Sequence, residues 1–393
     1  MVVPTKKIME LVLVFIPLFV YVFFLIYVLI AWLSMGNLSQ KTDNYLFQEK
    51  ITVLIPVRNE AATIRLLLED LNKQSLPPSQ FEVIVLDDYS TDETASLVRS
   101  FMPQARFPLR LIQPIPTPFS RYSPKKQALT QGVAEAEGTI ILTTDGDCRV
   151  GPRWIEAYAQ FYSKTKAVFV AGPVTFSSPN FSPLVTKIST WMQVVEFASL
   201  IGSGACAIAI KKPNMCSGAN LSYTKEAFNA VKGYQGNEEI ASGDDEFLLH
   251  KMASHFPEKF FFIKNQDAIV ETAAHQNWAS FYHQRKRWAS KWKQYQSLLP
   301  TVLAIFVFWV NVSSIYLLIN GLLYGFWGIG SLFLGSRWIL EGIFLTFILQ
   351  FLKKKRAILF IPLVQVIYPF YVLFFGIIAQ KKSSYIWKDR SLT

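Results

Sequence analysis

The sequence predicts an α/β domain built on a doubly wound, mostly parallel sheet and flanked at both ends by transmembrane helices. Three observations lead there. Short β-branched runs alternate with amphipathic helices through residues 50–275, and such alternation builds parallel sheets. Long apolar runs occupy both ends of the 393-residue chain. Acid-rich loops follow successive strands, at the edge where open α/β sheets bind their ligands.

Taken in order, residues 11–33 are apolar and uncharged. A helix of about 23 residues spans the roughly 30 Å of bilayer hydrocarbon. The run is too long for the apolar part of a cleaved signal peptide, about 7–15 residues, so residues 1–49 read as an anchor and linker. Strands are expected at 51–57, 82–86, 109–113 and 139–143, with helices at 61–74, 91–101 and 125–136 between them. Residues 276–299 form an amphipathic helix. Trp278, Phe281, Arg285, Trp288, Trp292, Tyr295 and Leu299 fall at alternating spacings of three and four, one stripe of a helix. His283, Lys286, Arg287, Lys291 and Lys293 crowd its other sides, a pattern that lies in a membrane interface with aromatics towards the lipid and cations towards headgroup or substrate phosphate.

The region 300–393 is apolar again. Spans are expected at 298–320, at 338–352 with its upstream flank, and at 357–379, while 321–335 either lengthens a neighbour or forms a fourth. The basic run Lys353, Lys354, Lys355, Arg356 and the basic tail 381–390 both belong on the cytoplasmic side. A single crossing separates them, and a bent, re-entrant final segment would reconcile the two.

Composition agrees with this division. Hydrophobic residues make up 51% and charged residues 17%, against roughly 25% charged in soluble domains. The net charge of +11 suits nucleic acid or an anionic membrane. Cations cluster beside apolar segments and no nucleic-acid module is present, so the membrane is the expected partner and nucleic acid is excluded. Cys148, Cys206 and Cys216 have no metal-ligand spacing, and their odd number gives no disulfide framework, which points to a reducing compartment.

The strand-end loops carry the chemistry. Pro56, Val57, Arg58, Asn59 and Glu60 close the first strand, Asp87 to Asp92 the second, and Asp145, Gly146 and Asp147 a later one. Any one could be a polar loop with a helix cap; three at one edge of a sheet form a site. Two acids about a glycine, straight after the buried run Ile140 to Leu142, offer hard oxygen ligands to Mg²⁺ or Mn²⁺, with Asp147 on the metal and Asp145 positioning donor and metal. Lys125 adds a positive charge at a helix start. Asp244 and Asp245 begin a helix, where the dipole favours acids; the functional alternative is a general base, with Asp245 in that role and Asp244 orienting it. Gln284 and Arg287 share a helix side, with Trp288 next to them.

These pieces, in this order over about residues 50–295, resemble the membrane-integrated branch of glycosyltransferase family 2. Residues 51–60 look like its opening strand and donor loop. The run Asp87-Asp88-Tyr89-Ser90-Thr91-Asp92 is similar to its nucleotide-binding loop, and Asp145-Gly146-Asp147 to its metal motif. Lys125 to Gly132 matches its basic helix start, with Thr130 where Asn is frequent. Asp244-Asp245 matches an acidic pair whose second member is the base, and Gln284 to Trp288 satisfies its Gln-x-x-Arg-Trp pattern. The resemblance implies a GT-A fold, a nucleotide-diphosphate sugar donor (usually a UDP sugar), a Mg²⁺ or Mn²⁺ ion, and inversion at the anomeric carbon. It implies a hexosyl- or N-acetylhexosaminyltransferase on the cytoplasmic side of a multi-pass membrane protein, in a bacterium the inner membrane. Pro56, Arg58, Glu60, Asp87, Asp88, Lys125 and Asp145 would hold the donor. Asp245 would be the base with Asp244 orienting it. Gln284, Arg287 and Trp288 would serve the diphosphate and acceptor, with Gly218 in the loop before the acceptor site.

One sugar placed on a lipid is the favoured reaction; a processive polysaccharide synthase that extrudes its product is the alternative. The Gln-x-x-Arg-Trp pattern leans towards the synthase, while the single N-terminal anchor and short C-terminal part lean towards the lipid. A phosphotransferase lacks its Gly-x-x-x-x-Gly-Lys-Ser/Thr loop, and a non-catalytic scaffold would tolerate alanine at Asp145, Asp147, Asp244 and Asp245.

Overall fold

A computed structural model of the protein describes residues 5–36, 47–115, 123–178, 184–240, 242–290, 298–325, 328–378, 385–387 and 390–392. The described chain falls into two compact units. One comprises residues 35–177, 204–274 and 386–393; the other comprises residues 1–34, 178–203 and 275–385.

The first unit is the α/β domain. Its strands are β1 (Ile51–Val57), β2 (Phe81–Asp87), β3 (Leu109–Ile112), β4 (Ile140–Thr143), β5 (Arg149–Val150), β6 (Phe169–Ala171), β7 (Val174–Phe176), β8 (Leu221–Thr224), β9 (Phe260–Phe262) and β10 (Val270–Thr272). Seven of them form one sheet in the order β3-β2-β1-β4-β8-β6-β9, and β5, β10 and β7 form a small second sheet. Strands β1, β2, β3 and β4 are parallel, with Val57 level with Asp87. Strand β8 runs antiparallel to β4 and β6, pairing Leu221 with Thr143 and with Ala171. The reversal matters for the site. The loop entering β8 lies at the same sheet edge as the loops leaving β1, β2 and β4.

The strands form where β-branched and aliphatic residues run without a break. Ile51, Val53, Leu54, Ile55, Val83, Ile84, Val85, Ile140, Ile141 and Leu142 are all fully buried, as expected of a sheet covered on both faces. Three helices alternate with the first four strands: Ile64–Leu71, Thr94–Phe101 and Pro124–Glu135. The first two start three residues later than the sequence predicts, because the residues before Ile64 and Thr94 are spent on turns: the Glu60 and Ala61 amides donate across to Thr94 Oγ1 and Asp92 Oδ2, the Thr91 amide donates back to Asn59, and the Thr94 amide donates to Asp92 of its own loop.

The second unit gathers apolar helices. Among the described residues five helices are long and apolar enough to cross a membrane: Val12–Ser34, Thr186–Ala209, Pro300–Tyr324, Gly328–Phe351 and Lys355–Ile378. Of the stretch 321–335, residues 321–324 end the helix Leu298–Tyr324 and residues 328–335 begin the helix Gly328–Phe351, so its described part lengthens both neighbours. The additional long helix, Leu184–Ala209, falls inside the stretch read from sequence as the globular centre, and its residues to Ser203 group with the apolar helices. Charged Lys187 and Glu196 within it dilute its apolar signal.

The amphipathic helix is described as Trp278–Ser290; Lys291, Trp292, Lys293 and Tyr295 lie outside the described residues, as does most of the basic tail. Its aromatic stripe was expected to face lipid. Trp278 is exposed. Phe281 instead packs on Tyr371 and Phe375, and Trp288 stacks on Phe197. Between them the Arg285 guanidinium lies over both rings and pairs with Glu196, 2% and 9% exposed. A charge inside the stripe demands a partner, and neighbouring helices supply it where lipid could not.

Candidate active site

The site grows from four loops at one edge of the large sheet. Because β1 and β2 are parallel and in register, their exits meet. Arg58 leaves β1 and its Nη1 donates to the carbonyls of Asp88 and Tyr89 at 2.7 and 3.0 Å. Asn59 and Tyr89 hold left-handed backbone, φ 53° and 52°, which costs energy for side chains with a Cβ. Cross-bonds maintain it: the Asn59 amide donates to Ser90 Oγ at 3.0 Å, and the Thr91 amide donates to Asn59 Oδ1 at 2.9 Å.

Asp87 is fully buried, accepting from the Ser90 amide at 3.1 Å and from Gln113 Nε2 at 3.3 Å. Asp92 accepts from the amides of Ala61 and Thr94, both at 3.0 Å. Burial works against its charge, but the bonds from Thr94 and Ala61 outweigh that and hold its carboxyl below the usual range. Pro56, Arg58, Glu60 and Asp88 are half-buried beside these turns.

The loop after β4 docks on the first. A Cβ built on Gly146 would stand 2.7 Å from Val57 Cγ1 and 3.2 Å from Glu60 Cγ, so only glycine fits between Asp145 and Asp147. Both acids are half-buried. Asp147 Oδ2 accepts from Thr272 Oγ1 at 3.4 Å, just past Val270 and Glu271 of the small sheet. The Cys148 thiol beneath is pushed up by burial and then by Asp147 and Asp145, so it stays neutral.

Lys125 ties the halves together. Its Nζ is 2.9 Å from Asp145 Oδ1 and 3.2 Å from Asp244 Oδ2. Burial opposes its charge, but Asp145, Asp244 and Asp245 together hold the ammonium well above the ordinary lysine value. Asp244 and Asp245 open the helix Asp244–His255, after Gly243 at φ 79°. The Gly218 amide donates to Asp245 Oδ2 at 2.9 Å and the Glu246 amide to Oδ1 at 2.8 Å, which fixes the carboxylate plane. A Cβ on Gly218 would meet Asp244 Oδ2 at 3.1 Å and Lys125 Nζ at 3.5 Å. Thr143 Oγ1 donates to the Gly218 carbonyl at 3.0 Å, pinning this loop to the end of β4.

By resemblance the sequence placed Asn220 only as a member of the loop 217–220 before the acceptor site; the structure makes it that loop's anchor. Fully buried, its Oδ1 accepts from Trp154 Nε1 at 3.0 Å and Tyr158 Oη at 2.8 Å. Its Nδ2 donates to the carbonyls of Pro173 and Ala268, both at 2.8 Å. All four polar valences are used, and only the fold shows it. The structure therefore brings Pro56, Arg58, Glu60, Asp87, Asp88, Lys125, Asp145, Asp147, Gly218, Asp244 and Asp245 into one unit. Gln284, Arg287 and Trp288 lie on a helix of the other unit, half-buried there.

The donor set admits a hard cation of one kind. Among the described residues no group of three or more Asp, Glu, His or Cys side chains is placed to hold a metal ion by itself. Asp147, with Asp145, suits a Mg²⁺-like ion that keeps waters and substrate phosphates as its remaining ligands.

A doubly wound sheet with one reversed strand, an Asp-Gly-Asp loop after β4 and a helix-start acid across from it define the GT-A class. Residues 52–228 match the model of the glycosyl transferase family 2, and the chain carries a domain of that family. Among its relatives is the glycosyltransferase AglE of Haloferax volcanii, 28% identical over 196 residues, covering 49% of this chain and 58% of that one. The beta-monoglucosyldiacylglycerol synthase of a Nostoc species is 25% identical over 243 residues, 61% of this chain and 48% of that one. The chain thus spans less than two thirds of the length of either. A mannosyltransferase structure from Pyrobaculum calidifontis, in complex with GDP-Man and Mn²⁺, shares the fold at a TM-score of 0.54 and 17% identity, covering 91% of this chain and 97% of that one.

Proposed function

We propose that this chain is a membrane-bound inverting glycosyltransferase. It moves a hexosyl or N-acetylhexosaminyl group from a nucleotide-diphosphate sugar, a UDP sugar by resemblance, to a membrane-associated acceptor. One sugar onto a lipid is the favoured reaction. The Nostoc relative, by its name, makes a glucosylated diacylglycerol, which supports a lipid acceptor. The Mn²⁺ of the Pyrobaculum structure supports a divalent cation. The five helices long and apolar enough to cross a membrane among the described residues support a multi-pass location.

The observation that carries the reading is the Lys125 bridge. One ammonium draws the donor-side Asp145 and the helix-start Asp244 to within 2.9 and 3.2 Å of itself, beside the backbone-oriented Asp245. Asp245 takes the proton of the acceptor hydroxyl as its oxygen bonds the anomeric carbon and the bond to the donor phosphate breaks. Arg58 and the Asp87–Asp92 turn bind the nucleoside, and Asp145 and Asp147 would hold the cation, which when bound offsets the diphosphate's charge. By resemblance, Gln284, Arg287 and Trp288 serve the diphosphate and acceptor.

The test is nucleotide release from a panel of nucleotide sugars with Mg²⁺ or Mn²⁺ and added lipid extract. Asp245→Asn should lower turnover by about 10²–10⁴-fold, the usual worth of a general base, with donor affinity retained. Unchanged turnover would end the proposal.

A further inference from the structure

The helix Gly328–Phe351 serves as a ruler through the apolar unit. Near one end Phe333 packs on Phe15 at 5.6 Å, and an added Cβ on Gly330 would meet Leu317 at 3.2 Å. At its middle Glu341 accepts from Tyr21 Oη at 2.9 Å and from Arg337 Nε at 2.9 Å, while Arg337 Nη2 donates to Asn311 at 2.9 Å. At the other end Phe351 packs on Trp32 at 5.3 Å, just before Lys353 to Arg356. There the first helix ends and the chain leaves for the α/β domain. The helices Thr5–Ser34, Leu298–Tyr324 and Gly328–Phe351 therefore run the full length of the bundle.

The last helix, Ile361–Ile378, does not. Gln365 Nε2 donates to the Trp338 carbonyl at 2.8 Å, with Glu341 Oε2 at 3.5 Å, which places it at mid-ruler. Eleven residues later, an added Cβ on Gly376 would touch Phe308 at 2.9 Å. Phe308 lies on the mid-ruler side of Leu317: Phe306, two residues before it, packs on Tyr21 and Phe24 at 6.1 and 6.2 Å, while the long Trp309 side chain reaches back to donate to the Leu13 carbonyl at 2.9 Å. Eleven residues of helix cover about 16 Å, yet Gly376 has reached only Phe308, nine residues short of Leu317 on the same helix. A crossing helix would have carried Gly376 to the level of Gly330 and Leu317, some 13 Å beyond Phe308 at 1.5 Å per residue. The helix therefore does not run the length of the bundle. Polar side chains fasten it there: Tyr371 Oη donates to Glu196 Oε1 at 3.0 Å, Glu196 pairs with buried Arg285, and Phe375 packs on Phe281 and Tyr282. A buried charged pair is costly unless neighbouring side chains enclose and bond it.

We propose that residues 355–378 are re-entrant, returning the chain to the side of Lys353 to Arg356, and that this helix obstructs the bundle against passage of a product chain. The acceptor is then a lipid drawn from the leaflet on that side, glycosylated in place. This last step rests on the glycosyltransferase reading above; the topology does not. It also lets both basic stretches keep one side of the membrane, which a crossing could not.

Sidedness tests it in the full chain, in intact cells and inverted vesicles. Cysteine is introduced as Gly325→Cys or as Lys355→Cys, with half-buried Cys216 changed to Ser and an epitope appended after Thr393. The expected result is that Lys355→Cys and the epitope react from one face and Gly325→Cys from the other. An epitope opposite to Lys355→Cys would overturn the re-entrant helix. In the same vesicles, labelled donor should yield a single lipid-bound product; a ladder of water-soluble chains released at the Gly325 face would overturn the acceptor assignment. If no donor is turned over while the sidedness holds, the catalytic reading fails and the re-entrant helix stands.

Discussion

Gly146→Ala is a one-carbon test of how the Asp145–Asp147 loop is seated. The new methyl would sit 2.7 Å from Val57 Cγ1, whereas carbon atoms prefer about 3.5–4.0 Å. About 1 Å must be found. Val57 is 3% exposed and its strand is locked between β2 and β4, so the loop must move and carry both acids with it. Overpacking of this kind costs about 1–3 kcal/mol in stability, and a displacement near 1 Å at reacting groups costs about 10²-fold in rate. The assay is single-turnover nucleotide release beside a thermal melt. Gly151→Ala is the matched control, since its nearest neighbour would be 4.0 Å away. Turnover within threefold of the parent, with an unchanged melt, would refute the claimed seating.

Other outcomes follow from the same geometry. Lys125→Met leaves Asp145 and Asp244 facing each other without their shared cation; turnover should fall at least tenfold and donor KM should rise, read by steady-state kinetics. The Lys125 value is raised in the folded protein, so its stabilising contribution is complete below the unfolded value of about 10.4 and is lost only as pH rises through the higher folded one. The ratio of parent to Lys125→Met stability should therefore stay flat from about pH 6 to 9.5 in chemical denaturation. Asn220→Ala strands the Trp154 and Tyr158 donors and two carbonyls, and should cost about 3–5 kcal/mol by thermal melting. Glu196→Leu should destabilise the helix unit by about 3–5 kcal/mol in detergent by leaving buried Arg285 unpaired, while Glu196→Leu with Arg285→Met should recover most of it.

The sequence alone determined the α/β class, the first four strands and the helices between them, because unbroken β-branched runs and helical periodicity are local properties. It also singled out the acid-bearing loops, since a strand end must be followed by a turn and polar residues there are visible in one dimension. Non-local partnership was not legible. The reversal of β8, which moves the Gly218 loop to the edge shared by β1, β2 and β4, depends on hydrogen bonding across 78 residues, the separation of Thr143 and Leu221. Asn220 looks like any loop asparagine until Trp154 and Tyr158 close on it. Apolar length made four of the five described helices fit for a bilayer legible, but the direction of Ile361–Ile378 emerges only from what Gln365 and Gly376 touch. Composition fixes how much of a chain must leave water; packing fixes which way each segment lies once it has, because contacts between distant residues, and not local propensity, supply that part of the free energy.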